Sequence, residues 1–371
     1  MITFSRVRLI FRGNAMRSAE LIFVASCLFG GTVFAQNSSY TIDSEIKTQV
    51  IESAASIFER EHVIPEIGAE YAQALRENLA RGAFDEISNG RDFMIAIDKI
   101  LWPIDTDGHV WLNFYQEDIP ENYAGDRINV PPEQVAEANA LAKRRNFGFE
   151  KIERLRGNIG YIDYRSFTEA EGSEDAFAAA MNLLQYTGAL IIDLRNNGGG
   201  SPEMVALFTS YLLDSRNALI GTFIDRDGDI ADEFRTRNEV SGSRYGEQKP
   251  VYILISRNTY SAAESFAYGL QARGRAQIIG EQTQGGARPN NTYRLHDRFM
   301  LAVPVLRSVD AVTNSDYEET GVVPDHPIPS EQTLTFAYVM ALEELIAESE
   351  DSPSRREREL VLNELTNIEE N

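Results

Sequence analysis

Apolar positions between residues 44 and 100 recur at helical spacing. Ile46, Val50, Ile51, Ala54, Ile57 and Phe58 share one face of a first helix; Ile67, Tyr71, Ala74 and Leu75 share one face of a second. Pro65 and the Gly90-Arg91 pair interrupt the pattern, so three helices in a small bundle are predicted. From about Val110 the pattern changes to short apolar runs. Gly160–Tyr164, Ala189–Leu194, Val251–Ile255 and Ala276–Gly280 read as buried strands. Helical patterns lie between or after them at Ala176–Tyr186, Pro202–Leu213 and Ala262–Arg273. Strand–helix alternation predicts an α/β fold with a mixed, largely parallel sheet covered by helices. Beyond Pro329, Glu331–Glu350 forms an apolar-striped helix and Ser354–Glu370 a heavily charged one.

Residues 1–35 have the layout of an export signal. Arg6, Arg8, Arg12 and Arg17 precede an apolar stretch from Leu21 to Ala35, which ends Val33-Phe34-Ala35 before Gln36. Met16 offers an alternative start with a short basic region. Fifteen apolar residues are too few to span a bilayer comfortably, so cleavage after Ala35 is expected rather than anchoring. A lipobox at Val24-Ala25-Ser26-Cys27 fits less well, because the apolar run continues past Cys27. The expected divisions are 1–35 signal peptide, 36–105 helical domain, 106–345 core and 346–371 charged tail. A periplasmic or secreted location follows, with no stable membrane insertion after cleavage.

Charge narrows the partners. The chain of 371 residues carries 35 basic and 57 acidic side chains, a formal charge of −22. Removing residues 1–35 leaves −25 and no cysteine. A surface this acidic repels phosphate backbones, so no nucleic-acid partner is expected. Cys27 alone supports neither a disulfide framework nor a cysteine zinc site, and the histidines lack metal-site spacing. No metal or cofactor is expected.

Three segments carry chemistry. Asp193-Leu194-Arg195-Asn196-Asn197-Gly198-Gly199-Gly200 follows a buried strand. Its glycines allow a sharp turn and expose bare amides, so it reads equally as a tight turn and as an anion or oxyanion site. It lacks the lysine and glycine spacing of nucleotide loops. Ser261, in Asn258-Thr259-Tyr260-Ser261-Ala262-Ala263-Glu264, opens a helix after a strand. With Glu264 three residues on, it fits a capping box; it also fits a displayed nucleophile whose next amide, on Ala262, faces a developing oxyanion. The two roles are compatible, since Glu264 can fix the turn that presents Ser261. Among four histidines, His62 is expected exposed or capping, His296 in a surface turn and His326 in a loop. His109, in Asp105-Thr106-Asp107-Gly108-His109-Val110, stands where the helical front meets the body and reads either as a structural histidine or as the candidate base.

Together these segments resemble the C-terminal-processing (tail-specific) serine peptidases. Gly157-Asn158-Ile159-Gly160, the 193–199 turn and Thr259–Glu264 carry the likeness. Gly280-Glu281-Gln282-Thr283-Gln284-Gly285-Gly286-Ala287 and Tyr317-Glu318-Glu319-Thr320-Gly321-Val322-Val323-Pro324-Asp325 extend it, over roughly residues 45 to 345. The likeness is to the branch with interphotoreceptor retinoid-binding protein and the tricorn core protease. It implies a ClpP/crotonase-like ββα core behind a three-helix domain, and peptide or unfolded-protein substrates. It implies Ser261 as nucleophile, with oxyanion amides from Gly198 or Gly199 and from Ala262. Two departures stand out: no lysine occurs in Gln284–Ala287, where the processing peptidases carry their base, and no PDZ-sized insert separates His109 from Glu150. Both point to a Ser-His-Glu arrangement with His109 as base, oriented by Glu318 or, failing that, Glu319. The rival expectation is a non-catalytic binder of apolar ligands or peptides on the same scaffold.

Overall fold

The computed structural model describes residues 40–121 and 132–367. The expected leader and Cys27 lie outside the described residues. Three helices open the chain: α1 (Ser44–Glu61), α2 (Pro65–Ala80) and α3 (Gly90–Leu101). Local signals set their starts. The Asp43 side chain accepts from the Ile46 N–H, Pro65 occupies the first turn of α2, and Asn89 accepts from the Asp92 N–H. The remaining elements are β1 (Trp111–Phe114), α4 (Pro132–Arg144), β2 (Phe149–Leu155), β3 (Ile159–Tyr164), α5 (Ser173–Leu184) and β4 (Ala189–Asp193). They continue as α6 (Pro202–Leu212), β5 (Leu219–Ile224), β6 (Ile230–Arg235), β7 (Val251–Ile255), α7 (Ala262–Ala272) and β8 (Gln277–Gly280). Last come β9 (Asn290–His296), β10 (Phe299–Pro304), β11 (Arg307–Asp310), β12 (His326–Pro327), α8 (Thr333–Ala347) and α9 (Pro353–Asn367).

The central sheet has the order β12-β8-β7-β4-β3-β2. Only β2 runs antiparallel to its neighbour. Alternate residues of these strands serve two cores, which explains their near-continuous apolar runs. Ile162, Ile192 and Ile253 face Phe177, Phe208 and Phe266 of α5, α6 and α7. Tyr161, Ile191 and Tyr252 face Ala341, Leu342 and Leu345 of α8 and Val361 of α9. The charged final helix is therefore docked on the body through buried Val361, with Leu362 and Leu365 packed beside it and Arg358 donating to Gly157 O at 3.1 Å.

Two small sheets complete the molecule: β1-β10-β9 and β11-β5-β6. The first shares its core with the front helices, as Leu112, Leu295, Phe299, Leu301 and Val303 pack with Val50, Ile51, Phe58 and Phe93. Chain from residues 290–304 thus folds back to complete the helical front, a long-range closure that local periodicity does not announce. The Asp-Gly-His turn leads straight into β1, so the same packing carries His109 to the body. His62 caps the C-terminus of α1, with its N–H donating to Phe58 O at 3.2 Å. Its ring is fully buried beside Tyr71, not exposed. His326 pairs in β12 rather than lying in a loop.

Candidate active site

Strands β4 and β7 are parallel neighbours, so the turns leaving their carboxyl ends lie side by side. One is the glycine turn, the other carries Ser261. Ser261 has φ 55° and ψ −121°, a region that side-chain-bearing residues rarely occupy. Such a conformation persists only where surrounding contacts over-determine it. Here Glu264 supplies them. Its fully buried carboxylate accepts from the Ser261 N–H (2.8 Å), Thr283 Oγ1 (2.5 Å), the Gly285 N–H (2.8 Å) and the Gly286 N–H (3.0 Å). Burial pushes the Glu264 pKa up, and these four donors oppose it. The Tyr317 hydroxyl adds a bond to Ser261 O at 3.2 Å.

The side chain of Ser261 meets His109. Its Oγ lies 3.1 Å from His109 Nε2, across 152 residues of sequence. His109 Nδ1 lies 3.0 Å from Asp107 Oδ1, the oxygen that also accepts the His109 backbone N–H at 2.8 Å. The Asp107 N–H donates in turn to Asp105 Oδ1 at 3.1 Å, so the turn is laced by its own aspartates. With Nδ1 donating to Asp107, Nε2 is the nitrogen free to accept from the serine. Burial lowers the His109 pKa, but the bond and charge of Asp107 outweigh it, and the net direction is upward. Asp107 is completely enclosed; burial alone would raise its pKa, yet its contacts with His109 and the nearby Arg288 hold it below the usual value.

The carboxylate beside the imidazole is not the one expected from the resemblance. Neither Glu318 nor Glu319 contacts the imidazole: the carboxylate on Nδ1 comes from two residues upstream in the same turn. Glu318 instead accepts the Ala287 N–H at 2.5 Å and approaches Arg288 at 3.7 Å. Burial, then the charge of Asp107, pushes its pKa up to about 8, so it is largely a neutral acid at pH 7. Glu319 is exposed and lies 3.4 Å from Arg288. Arg288 is the buried cation of this corner, 2.6 Å from Asp105 and 3.8 Å from Asp107. Arg288 and Asp107 were not among the expected site residues. The Asp-Gly-His spacing was the signal available for Asp107; nothing local marks Arg288.

The glycine turn is refined as well. Gly199 touches the nucleophile turn so closely that a Cβ there would sit 2.9 Å from Ser261 Cβ. Its own N–H, however, donates to Asn197 Oδ1 at 2.9 Å. Asn197 is fully buried and also ties the two turns together, since Tyr260 N–H donates to its carbonyl at 3.0 Å. Gly199 is therefore the close-approach residue, and its amide is already satisfied within its own turn. Among the described residues no group of acidic, cysteine or histidine side chains could hold a metal ion.

A strained serine at a helix N-terminus, an imidazole and a buried aspartate stand here in the order that serine hydrolases use. Residues 158–328 match the family model described as peptidase family S41. It is 31% identical over 182 residues to the chloroplastic carboxyl-terminal-processing peptidase 2 of Arabidopsis thaliana, covering 46% of this chain and 32% of that protein. It is 28% identical over 189 residues to a carboxyl-terminal-processing protease of Picosynechococcus, covering 49% and 42%. The chain thus spans well under half the length of these relatives. The fold is similar to that of a lipoprotein from Streptococcus agalactiae, with TM-score 0.53, 16% identity, and coverage of 82% of this chain and 97% of that one. No described helix is long and apolar enough to cross a membrane.

Proposed function

We propose that this protein is an exported serine peptidase that hydrolyses peptide bonds through an acyl-enzyme. Ser261 is the nucleophile, His109 the general base, and Asp107 the acid that orients the imidazole. The continuous relay of 3.1 Å and 3.0 Å from Ser261 through His109 to Asp107 carries this reading.

His109 Nε2 takes the hydroxyl proton as Ser261 Oγ attacks the scissile carbonyl carbon. The buried Asp107 carboxylate stabilises the imidazolium that forms. The carbonyl oxygen becomes an oxyanion facing the amides of Gly198 and Ala262, at the positive end of α7. The imidazolium then protonates the leaving amine, and water repeats the sequence on the acyl-enzyme. The names of the curated relatives support a peptide or unfolded-protein substrate.

A fluorophosphonate probe is expected to label the folded protein on Ser261. Ser261→Ala should abolish both labelling and hydrolysis of an unfolded polypeptide while leaving thermal unfolding intact. A folded wild type that resists the probe and cleaves nothing would return the binding-protein alternative. Export is tested separately: the protein recovered from outside the cytoplasm should begin at Gln36, and retention of residues 1–35 there would refute cleavage.

A further inference from the structure

Tyr260, the residue before the nucleophile, is unused by the chemistry above, yet it faces the base. Its ring stacks on the His109 imidazole with centroids 4.9 Å apart and planes 28° from parallel. Its hydroxyl lies 3.3 Å from His109 Nδ1. Two glycines from separate segments make room for it. A Cβ on Gly108 would sit 2.8 Å from the hydroxyl oxygen, and a Cβ on Gly286 would sit 2.2 Å from Cζ, a distance that backbone and ring cannot both accept. Tyr260 is itself pinned by its N–H bond to Asn197 O and by the Ala263 N–H bond to its own carbonyl (3.1 Å). Asp107 fixes only one edge of the imidazole; a ring held at one edge can still swing about that bond. A flat surface against its face removes that freedom.

We propose that Tyr260 is a positioning residue, whose aromatic face holds the His109 ring in the plane that aims Nε2 at Ser261 Oγ. This inference rests on the peptidase reading for its kinetic consequence, not for its geometry. The nucleophile's own neighbour thus sets the base, coupling the two arms of the site through one backbone step. The hydroxyl is secondary: Asp107 already accepts from Nδ1, and the two oxygens compete for a single hydrogen.

Tyr260→Phe and Tyr260→Leu in the full chain separate face from hydroxyl. Misaiming a catalytic group by about 1 Å costs on the order of 10²-fold in rate. Tyr260→Leu is therefore expected to lower kcat by about that factor with KM little changed, while Tyr260→Phe loses only a few-fold. A second readout needs no activity. With four histidines in the chain, the His109 Cε1–H proton resonance can be assigned by substitution. Its ring-current shift should persist in Tyr260→Phe and vanish in Tyr260→Leu. Equal activity in Leu and wild type, or a resonance unmoved by Leu, overturns the proposal. An equally large kcat loss in Phe would overturn the primacy of the face. If the wild type resists the fluorophosphonate, the peptidase reading fails, while the resonance still decides the positioning.

Discussion

The two arms of the site are built in opposite ways. The serine arm is short in sequence and anchored in the body: a strand, a six-residue turn, a helix, and Glu264 gathering donors from both sides of it. The histidine arm is a self-bonded aspartate turn hung between the front helices and the body. It is brought to the serine by the closure of β1, β10 and β9 against α1 and α3, and is tied there by Asn290 donating to His109 O at 2.7 Å and Arg288 at 2.6 Å from Asp105. Strain is therefore stored where the scaffold is rigid, at Ser261, while aim is adjusted where the scaffold is a loop, at His109. An error on the first arm should cost stability and activity together; an error on the second should cost activity first.

Asp107→Asn gives the largest effect that separates the arms. An asparagine keeps the size of the side chain but favours the wrong imidazole tautomer and removes the charge beside Nδ1. A loss on the order of 10⁴-fold in kcat is expected, with a smaller fall in thermal stability, since the contacts that hold the Asp107 pKa down also favour the fold at pH 7. The pH profile should move too. Catalysis needs neutral His109, whose pKa Asp107 holds above its ordinary 6.5, so the wild-type acid limb should have its midpoint above that value. Without the Asp107 charge that midpoint should shift downward. A kcat within tenfold of wild type would remove Asp107 from the relay.

Glu264→Gln tests the other arm. One oxygen of the carboxylate accepts from the Ser261 and Gly286 amides, the other from Thr283 and Gly285. A glutamine must turn an NH₂ toward one of those pairs and leave buried donors unpaired. Each unpaired group costs about 1–3 kcal/mol. The midpoint of chemical denaturation should fall by a corresponding amount, and fluorophosphonate labelling should slow with it. A variant that labels slowly yet unfolds like wild type would show that the strain at Ser261 is held by something else.

The contrast also explains what could be read in advance. The front helices, the buried strands and the place of Ser261 at a helix start were legible because each rests on local order: caps, apolar period, and a Ser-x-x-Glu at a strand–helix junction. The compatibility of capping and display was legible as well, and Glu264 does tie the Ser261 turn. The closure of β9 and β10 onto the front was not, since it joins residues about two hundred positions apart. Arg288 belongs to the same category. The carboxylate on Nδ1 differs from the expected one for another reason. Family likeness drew attention to Glu318, whereas the local Asp-Gly-His turn already held a carboxylate two residues from the imidazole. The Gly198–Gly200 turn stayed ambiguous because sequence cannot tell which amide is already satisfied; Asn197 Oδ1 settles that for Gly199.

Glu318→Gln is the finest discrimination and has the smallest expected effect. If Glu318 oriented His109, losing its charge would cost activity on the scale of Asp107→Asn. With its pKa near 8, however, Glu318 is mostly neutral at pH 7, and a neutral glutamine resembles the form already present. kcat/KM at pH 7 should stay within about threefold of wild type. Stability carries the signature instead. A carboxyl group whose native pKa is raised holds its proton in the folded state while the unfolded chain has released it. Its favourable contribution is complete below the unfolded value near 4.5, and it is lost as pH rises through the native value near 8. The wild type should therefore lose melting temperature relative to Glu318→Gln between pH 5 and pH 9, with the gap widest at the alkaline end. Glu319→Ala, at an exposed ion pair worth at most about 1 kcal/mol, is the control that should show no such gap. A pH-independent difference between wild type and Glu318→Gln, or a thousandfold activity loss at pH 7, would put Glu318 back behind the imidazole and make the aspartate turn a scaffold only.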